Sequence, residues 1–213
     1  MQGKSIVASL DHLVFLPTQS LDKFSTIIAL HGRGADENDL ASLLLALELP
    51  GVLLVTPRAP FSFPFGGYAW YGPDEYAPNQ DTVELLRRFI EEVKAGYPVN
   101  LKRLILMGFS QGTMMTYAVA LPNYSSFRGI AALSGYIPHQ PNPQLTGLTG
   151  FPVFISHGTN DPIIPVRLGR EAAKLLKNTG ADVTYREYLM GHEIGAEASR
   201  DLRHWLLSTL TLT

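Results

Sequence analysis

Hydrophobic and polar positions along the chain alternate between two kinds of segment. Short apolar runs with the length of a buried strand recur, and between them lie longer segments whose apolar residues have helical spacing. The runs predicted as strands are 12–16, 25–30, 51–56, 104–107, 128–134, 152–156 and 182–188. The segments predicted as helices are 38–49, 81–95, the stretch that begins at residue 111, 166–178 and 193–210.

This order of elements predicts an α/β fold. Strands separated by helix-length segments favour a mostly parallel central sheet with helices on both faces. The short run 12–16 is followed by Pro17 and is predicted as an edge strand, whereas 25–30 is β-branched and apolar and is predicted as a central strand. No internal repeat is visible, so residues 1–213 are predicted to form a single domain.

Segment 57–79 fits neither pattern, because it is dense in proline, glycine and aromatic residues. Connections of this length in compact domains seldom lack a function. Its aromatic residues can cover the sheet as part of the core, or they can line an acyl or alcohol pocket. They are Phe61, Phe63, Phe65, Tyr68, Trp70 and Tyr71, and the pattern alone leaves both interpretations open.

Composition narrows the classes of function. The chain has 213 residues, 46% of them hydrophobic, which is enough to bury a large core. Its net charge of −2 and the lack of a basic run predict no binding of nucleic acid or of anionic membranes. The absence of cysteine excludes thiol catalysis, disulfides and thiolate metal sites. No secretory signal or membrane-spanning apolar run is recognisable, so a cytoplasmic location is predicted.

The segment Gly108-Phe109-Ser110-Gln111-Gly112 lies where a predicted strand turns into a predicted helix. This is the G-x-S-x-G pattern of a nucleophile elbow. A serine on so sharp a turn needs a strained backbone, and the residues two before and two after it crowd each other unless they lack a Cβ atom. The sequence therefore predicts Ser110 as a nucleophile, with the N–H of Gln111 facing a developing oxyanion.

A serine nucleophile on such a turn needs a histidine base that follows it in the chain, on a loop after a strand. Of the six histidines, His12 and His31 precede the serine, while His139 and His157 precede the best acid. His204 lies inside a predicted helix beside Trp205. The best candidate is His192, which follows the strand 182–188 and directly precedes the last helix. His31 is predicted to orient the neighbouring glycine loop through hydrogen bonds.

The acid of such a triad is expected between the serine and the histidine. Asp161 lies on the loop that follows the strand 152–156, at the end of the sheet where a triad acid belongs. Asp182 begins a strand and Asp201 lies inside a helix, so neither is well placed. The sequence therefore predicts a triad of Ser110, Asp161 and His192.

Four segments resemble those of the phospholipase/carboxylesterase family, which includes the acyl-protein thioesterases and bacterial carboxylesterases. They are 30–34, 108–112, 156–165 and 190–194, they occur in the family's order, and the resemblance spans essentially the whole chain. The resemblance implies an α/β-hydrolase fold without a large cap domain and the same triad. It also implies an oxyanion hole made by the backbone N–H groups of Arg33 and Gln111, and substrate contacts from Trp70 and Tyr71. Arg33 stands where the thioesterase branch often has leucine.

The predicted function is that of a serine hydrolase that cleaves carboxylic esters of small to medium acyl chains through an acyl-enzyme. The substrate is a small-molecule ester or thioester, and no metal or organic cofactor is needed for this chemistry. An acyl-thioesterase or a lysophospholipase is the alternative within the same chemistry, and a non-catalytic hydrolase-like binding protein is an alternative from another class. Without a large cap, exposed apolar surface near the site would also allow a homodimer.

Overall fold

A computed structural model describes residues 5–19, 21–72, 75, 77–138 and 146–211. The strands are β1 His12–Phe15, β2 Phe24–Leu30, β3 Val52–Pro57, β4 Phe61–Ser62, β5 Tyr68–Ala69, β6 Val99–Phe109, β7 Gly129–Leu133, β8 Pro152–Gly158 and β9 Asp182–Tyr188. The α-helices are α1 Asp39–Ala46, α2 Gln80–Gly96, α3 Gln111–Ala120, α4 Val166–Asn178 and α5 Ala196–Thr211, and a 3-10 helix covers Leu121–Ser126.

Seven of these strands form one sheet in the order β1-β3-β2-β6-β7-β8-β9. Only β1 is antiparallel to its neighbour, and it lies at the edge, as its sequence predicted. Every other neighbouring pair is parallel. The predicted α/β class with a mostly parallel sheet is therefore confirmed. Because parallel strands end at the same edge of a sheet, the loops after β2, β6, β8 and β9 share one rim of the molecule.

Both faces of the sheet are covered, which explains why the strands read as continuous apolar runs rather than as alternating ones. In β6, Leu104 and Leu106 face the cluster built from α2, α3 and α4, whereas Ile105 and Met107 face the cluster built from α1 and α5. All four side chains have no exposed surface. Strand β6 therefore runs through the middle of the core, and the turn at Ser110 directly follows this buried strand.

Several element boundaries differ from the sequence prediction for local reasons. Helix α1 ends at Ala46 rather than at Leu49, since Glu48 has a φ of 48° and Pro50 follows. Helix α5 begins at Ala196, just after Gly195, and not at Glu193. The irregular segment 57–79 contains a small two-stranded hairpin, β4 with β5, that its proline and glycine content did not predict. Of the predicted polar link 138–150, residues 139–145 lie outside the described residues.

Among the described residues, no helix is both long enough and apolar enough to cross a bilayer.

Candidate active site

Ser110 occupies a strained turn between β6 and α3. Its backbone has φ 52° and ψ −119°, a conformation that a residue with a side chain adopts only when its surroundings impose it. One of those constraints is a hydrogen bond from the Ser110 N–H to the carbonyl of Leu133 at the end of β7, with a length of 2.9 Å. Ser110 thus lies on a sharp turn at the rim of the sheet that carries the loops after β2, β8 and β9.

The two glycines of the elbow are required for different reasons. A Cβ atom added to Gly108 would overlap the carbonyl group of Gly112, which is the crowding that the sequence predicted. A Cβ atom on Gly112 would instead overlap the carbonyl of Leu30, the last residue of β2. The second glycine therefore allows α3 to approach the neighbouring strand, a contact that the motif alone did not reveal.

Thr113 holds the elbow from the helix side. Its hydroxyl lies 2.7 Å from the carbonyl oxygens of both Gly108 and Leu133, and it accepts a hydrogen bond of 3.0 Å from the Leu133 N–H. The side chain is fully buried. Sequence reasoning did not single this residue out, because α3 contains a second threonine, Thr116, and nothing in the pattern separates the two.

The structure brings together the three predicted triad side chains, although they are far apart in the chain. Nε2 of His192 lies 2.8 Å from Oγ of Ser110, and Nδ1 of His192 lies 2.7 Å from Oδ2 of Asp161. An ionised carboxylate can only accept, so Nδ1–H donates to Asp161 and Nε2 is left to accept the serine proton. This arrangement can remove a proton from the hydroxyl and hold it on the imidazole.

Asp161 is a buried carboxylate whose oxygens are well supplied with donors. Its side chain has no exposed surface, and Oδ1 accepts hydrogen bonds from the N–H groups of Ile163 at 2.9 Å and Ile164 at 2.8 Å. Burial alone would raise the pKa of Asp161. The hydrogen bonds from His192 and from these two amides outweigh burial, so that the pKa lies below its ordinary value. The acid is therefore held in its charged form.

A second histidine, His157, lies near the same oxygen of Asp161 as His192. Its Nε2–H donates to the carbonyl of Ile164 at 2.8 Å and is 3.5 Å from Oδ2 of Asp161. Nδ1 has no hydrogen-bond partner among the described residues, and a Cβ atom on Gly169 would lie only 2.6 Å from it. Burial lowers the pKa of His157, so the ring is neutral and orders the loop that carries Asp161. Sequence reasoning excluded this residue as the base but missed its contact with the acid.

The two amides predicted to form an oxyanion hole belong to residues near Ser110. A Cβ atom built on Gly32, the residue before Arg33, would lie 3.4 Å from the Cβ of Ser110, so the loop after β2 lies close to this serine. Gln111 is the first residue of α3. Within the described part of the chain, neither the Arg33 amide nor the Gln111 amide donates to a backbone carbonyl. Both are thus available to an oxygen that develops charge near Ser110.

His31 supports this loop, as predicted from its position. Its Nδ1–H donates to the carbonyl of Gly32 at 2.7 Å, and its Nε2 accepts from the N–H of Ala59 at 3.0 Å. The residue is 1% exposed, and burial lowers its pKa. A neutral ring is required, because Nε2 can accept only when it carries no proton.

The aromatic pair predicted to contact substrate is buried. Trp70 has no exposed surface and Tyr71 is 1% exposed. Their contact with a substrate stays a prediction. The indole N–H of Trp70 donates to the carbonyl of His31 at 2.9 Å, which makes the pair a support for the glycine loop.

Gln111 links this aromatic pair to the nucleophile through its side chain, a role that the sequence did not indicate. Its Oε1 accepts from the N–H of Trp70 at 2.7 Å, and its Nε2 donates to the carbonyl of Tyr71 at 3.1 Å. The side chain is 2% exposed. The residue next to Ser110 therefore holds the backbone of the segment 70–71 in place.

Among the described residues, no group of three or more histidine, aspartate or glutamate side chains is arranged to hold a metal ion.

A family model and several named proteins are similar to this chain in sequence. The model of a family described as Phospholipase/Carboxylesterase matches residues 17–210. Acyl-protein thioesterase 1 of Yarrowia lipolytica is 31% identical over 214 residues, which cover 85% of this chain and 90% of that protein. Acyl-protein thioesterase 1 of Gibberella zeae is 28% identical, with 87% of this chain and 91% of that protein covered.

Solved structures resemble this chain over nearly its whole length. The crystal structure of esterase PE8 has a TM-score of 0.83 and 24% identity, with 96% of this chain and all of that chain covered. The carboxylesterase of Bacillus cereus has a TM-score of 0.81 and 21% identity, with 94% of each chain covered. Together with the family match, these likenesses confirm the predicted α/β-hydrolase fold.

We predict that Gly112→Ala destabilises the protein by about 3 kcal/mol or more, because the added Cβ would overlap a backbone carbonyl that cannot move aside. The control is Gly191→Ala, since a Cβ atom there would meet no atom within 4 Å. It should change the free energy of unfolding by less than about 0.5 kcal/mol. Urea unfolding measures both variants, and equal midpoints would contradict the close approach of α3 to β2.

We also predict a loss of stability below about pH 6.5 that comes from the buried histidines. His31 and His157 have lowered pKa values in the folded state, so between those values and 6.5 only the unfolded chain takes up their protons. Stability is therefore complete above that window and falls as the pH drops, by up to about 1.4 kcal/mol per pH unit for each histidine. The lowered pKa of Asp161 matters only below about pH 4.

The measurement is the free energy of unfolding in urea at pH 7.5 and pH 5.0. We expect His157→Gln to show a smaller loss on acidification than the unmodified protein. His204→Gln, which changes an exposed ring on α5, serves as the control and should follow the unmodified protein. An equal pH dependence in all three proteins would show that His157 is not held neutral by the fold.

Proposed function

The chain belongs to the phospholipase/carboxylesterase family, and we propose that it is a serine hydrolase in which Ser110, His192 and Asp161 cleave carboxylic esters of small to medium acyl chains. The observation that carries the proposal is the pair of contacts at His192, 2.8 Å to the serine oxygen and 2.7 Å to the carboxylate. A hydroxyl, an imidazole and a carboxylate in this order form the arrangement that activates serine in acyl transfer.

The proposed reaction begins when Oγ of Ser110 attacks the acyl carbonyl while Nε2 of His192 accepts its proton. Asp161 keeps the imidazole in the tautomer that has Nε2 free and stabilises the imidazolium that forms. The amides of Arg33 and Gln111 donate to the tetrahedral oxyanion, and each such donor lowers the barrier by roughly 3 kcal/mol. The alcohol then leaves with the proton from His192. In the second half of the reaction, water attacks the acyl-enzyme while His192 accepts its proton. Ser110 leaves with that proton, and the carboxylic acid is released.

A thioesterase is the second candidate, and the relatives support it. The proteins from Yarrowia lipolytica and Gibberella zeae that are 31% and 28% identical are both named acyl-protein thioesterase 1. The proposed chemistry serves either substrate, since a thiolate can leave from the same tetrahedral intermediate as an alkoxide. Arg33 departs from the leucine that the thioesterase branch often has, which favours a different choice of substrate at the loop after β2.

We expect Ser110→Ala to lower kcat for p-nitrophenyl butyrate by about 10⁴-fold or more and to abolish labelling by a fluorophosphonate probe. The probe reacts only with a serine that a neighbouring base has activated. Ser125→Ala, which changes an exposed serine on the 3-10 helix, is the control and should keep both activities. A Ser110→Ala protein that is still labelled, or an unmodified protein that is not, would contradict the proposed nucleophile.

Esters and thioesters that carry the same acyl chain separate the two candidate functions. We expect kcat/KM for p-nitrophenyl butyrate to exceed that for p-nitrophenyl palmitate, because the proposal assigns small to medium acyl chains to this site. Butyryl and palmitoyl thioesters of a single small thiol complete the set, with Ser110→Ala as the blank for each. A higher kcat/KM for the thioester than for the ester of the same acyl chain, with both butyryl and palmitoyl, would favour the thioesterase.

A further inference from the structure

Arg33 is a cation in the loop that lies next to the candidate nucleophile. It lies between Gly32 and Gly34 in the loop after β2, and its side chain is exposed. The preceding residue, Gly32, lies close to Ser110, since a Cβ atom built on it would lie 3.4 Å from the serine Cβ. Consecutive Cα atoms are about 3.8 Å apart, so the Cα of Arg33 lies one residue beyond this point of close approach.

Arg33 forms no ion pair with any carboxylate that the structure describes. The acidic residues that follow it in the loop have other partners: Glu37 accepts two hydrogen bonds from Arg58, and Asp36 accepts from the N–H of Asn38 at 2.8 Å. Beyond the loop, Glu75 accepts from the N–H of Gly72 at 2.8 Å. The charge of Arg33 is therefore available to a bound molecule.

The guanidinium of Arg33 lies near the aromatic hairpin, which β4 and β5 form. The guanidinium carbon of Arg33 lies 6.0 Å from the ring centre of Phe63, at the outer limit of a cation–π contact. Phe63 itself packs over the loop, because a Cβ atom on Gly34 would lie 3.5 Å from its ring. Burial raises the pKa of Tyr71, and the nearby charge of Arg33 opposes that rise. The cation of Arg33 thus lies near Phe63 and Tyr71.

We propose that Arg33 is a specificity-determining residue that binds an anionic group, such as a carboxylate, on the ester substrate. This inference rests on the proposed function and adds a substrate class to it. An arginine can bind a carboxylate through two parallel hydrogen bonds, which a neutral acyl chain or alcohol does not offer. An exposed arginine without an ion-pair partner among the described residues gains little from the fold, whereas a bound anion would pair with its charge.

Two pairs of substrates test the proposal and distinguish the two ends of the ester. Phenyl acetate and 4-acetoxybenzoate differ by a carboxylate on the leaving group. The p-nitrophenyl esters of pentanoate and of hemiglutarate differ by a carboxylate on the acyl chain, and the hemiglutarate needs a blank without enzyme because its free carboxylate attacks its own ester. For each pair, the measured quantity is the ratio of kcat/KM for the anionic ester to kcat/KM for the neutral one.

We expect this ratio to fall about tenfold in Arg33→Leu for at least one pair, through a rise in KM for the anionic ester, and to stay within about threefold in Arg33→Lys. The preference should also shrink as the salt concentration rises from about 0.02 M to about 0.5 M. A change that Arg33→Leu makes to the oxyanion amide affects both esters of a pair equally and cancels in the ratio.

An unchanged ratio in Arg33→Leu for both pairs would overturn the proposal, and so would an equal rise in KM for anionic and neutral esters. Failure of the proposed function gives a different result, since the unmodified protein would then hydrolyse none of the four esters and would not react with a fluorophosphonate.

Discussion

The closeness of three backbone segments at Ser110 is the constraint on which the rest of the site depends. Strand β6 turns into α3 with no residue to spare, and α3 begins against the end of β2, so that Gly108 and Gly112 must both lack a side chain. The cost of the turn is a positive φ at Ser110. The turn is packed tightly, and the Thr113 hydroxyl hydrogen-bonds to carbonyls of both β6 and β7. Other backbone conformations of Ser110 would break these contacts and are therefore higher in free energy. The hydroxyl is thus placed by the sheet itself.

The ionisation state of the candidate acid, Asp161, also depends on groups that the fold holds in place. A fully buried carboxylate would normally take up a proton, but Asp161 has amide donors from Ile163 and Ile164 in addition to His192. His157, near the same carboxylate oxygen as His192, is neutral because burial lowers its pKa, so it orders the loop without adding a second charge next to the acid. The negative charge of Asp161 therefore interacts mainly with His192. A charged His157 would compete for the same carboxylate.

Sequence reasoning predicted the layered architecture, the edge strand and the rim where the loops meet, since periodicity and the order of elements determine these features. It also brought Ser110, Asp161 and His192 together by chain order, and the structure places them in contact. What it could not predict depends on side-chain direction in irregular segments. Trp70 and Tyr71 read equally well as core or as pocket lining, because aromatic residues suit both, and only the fold shows that they are buried.

The side chain of Gln111 joins the nucleophile to Trp70 and Tyr71, and the carbonyl of Tyr68 accepts from the N–H of Gly34 at 2.8 Å. The returning strand β5 and the residues after it are therefore anchored to the loop after β2 and to the start of α3, while Phe65 at the tip of the hairpin is 92% exposed. None of these hydrogen bonds involves Phe65, so a substitution at that position leaves the anchors of the candidate site intact.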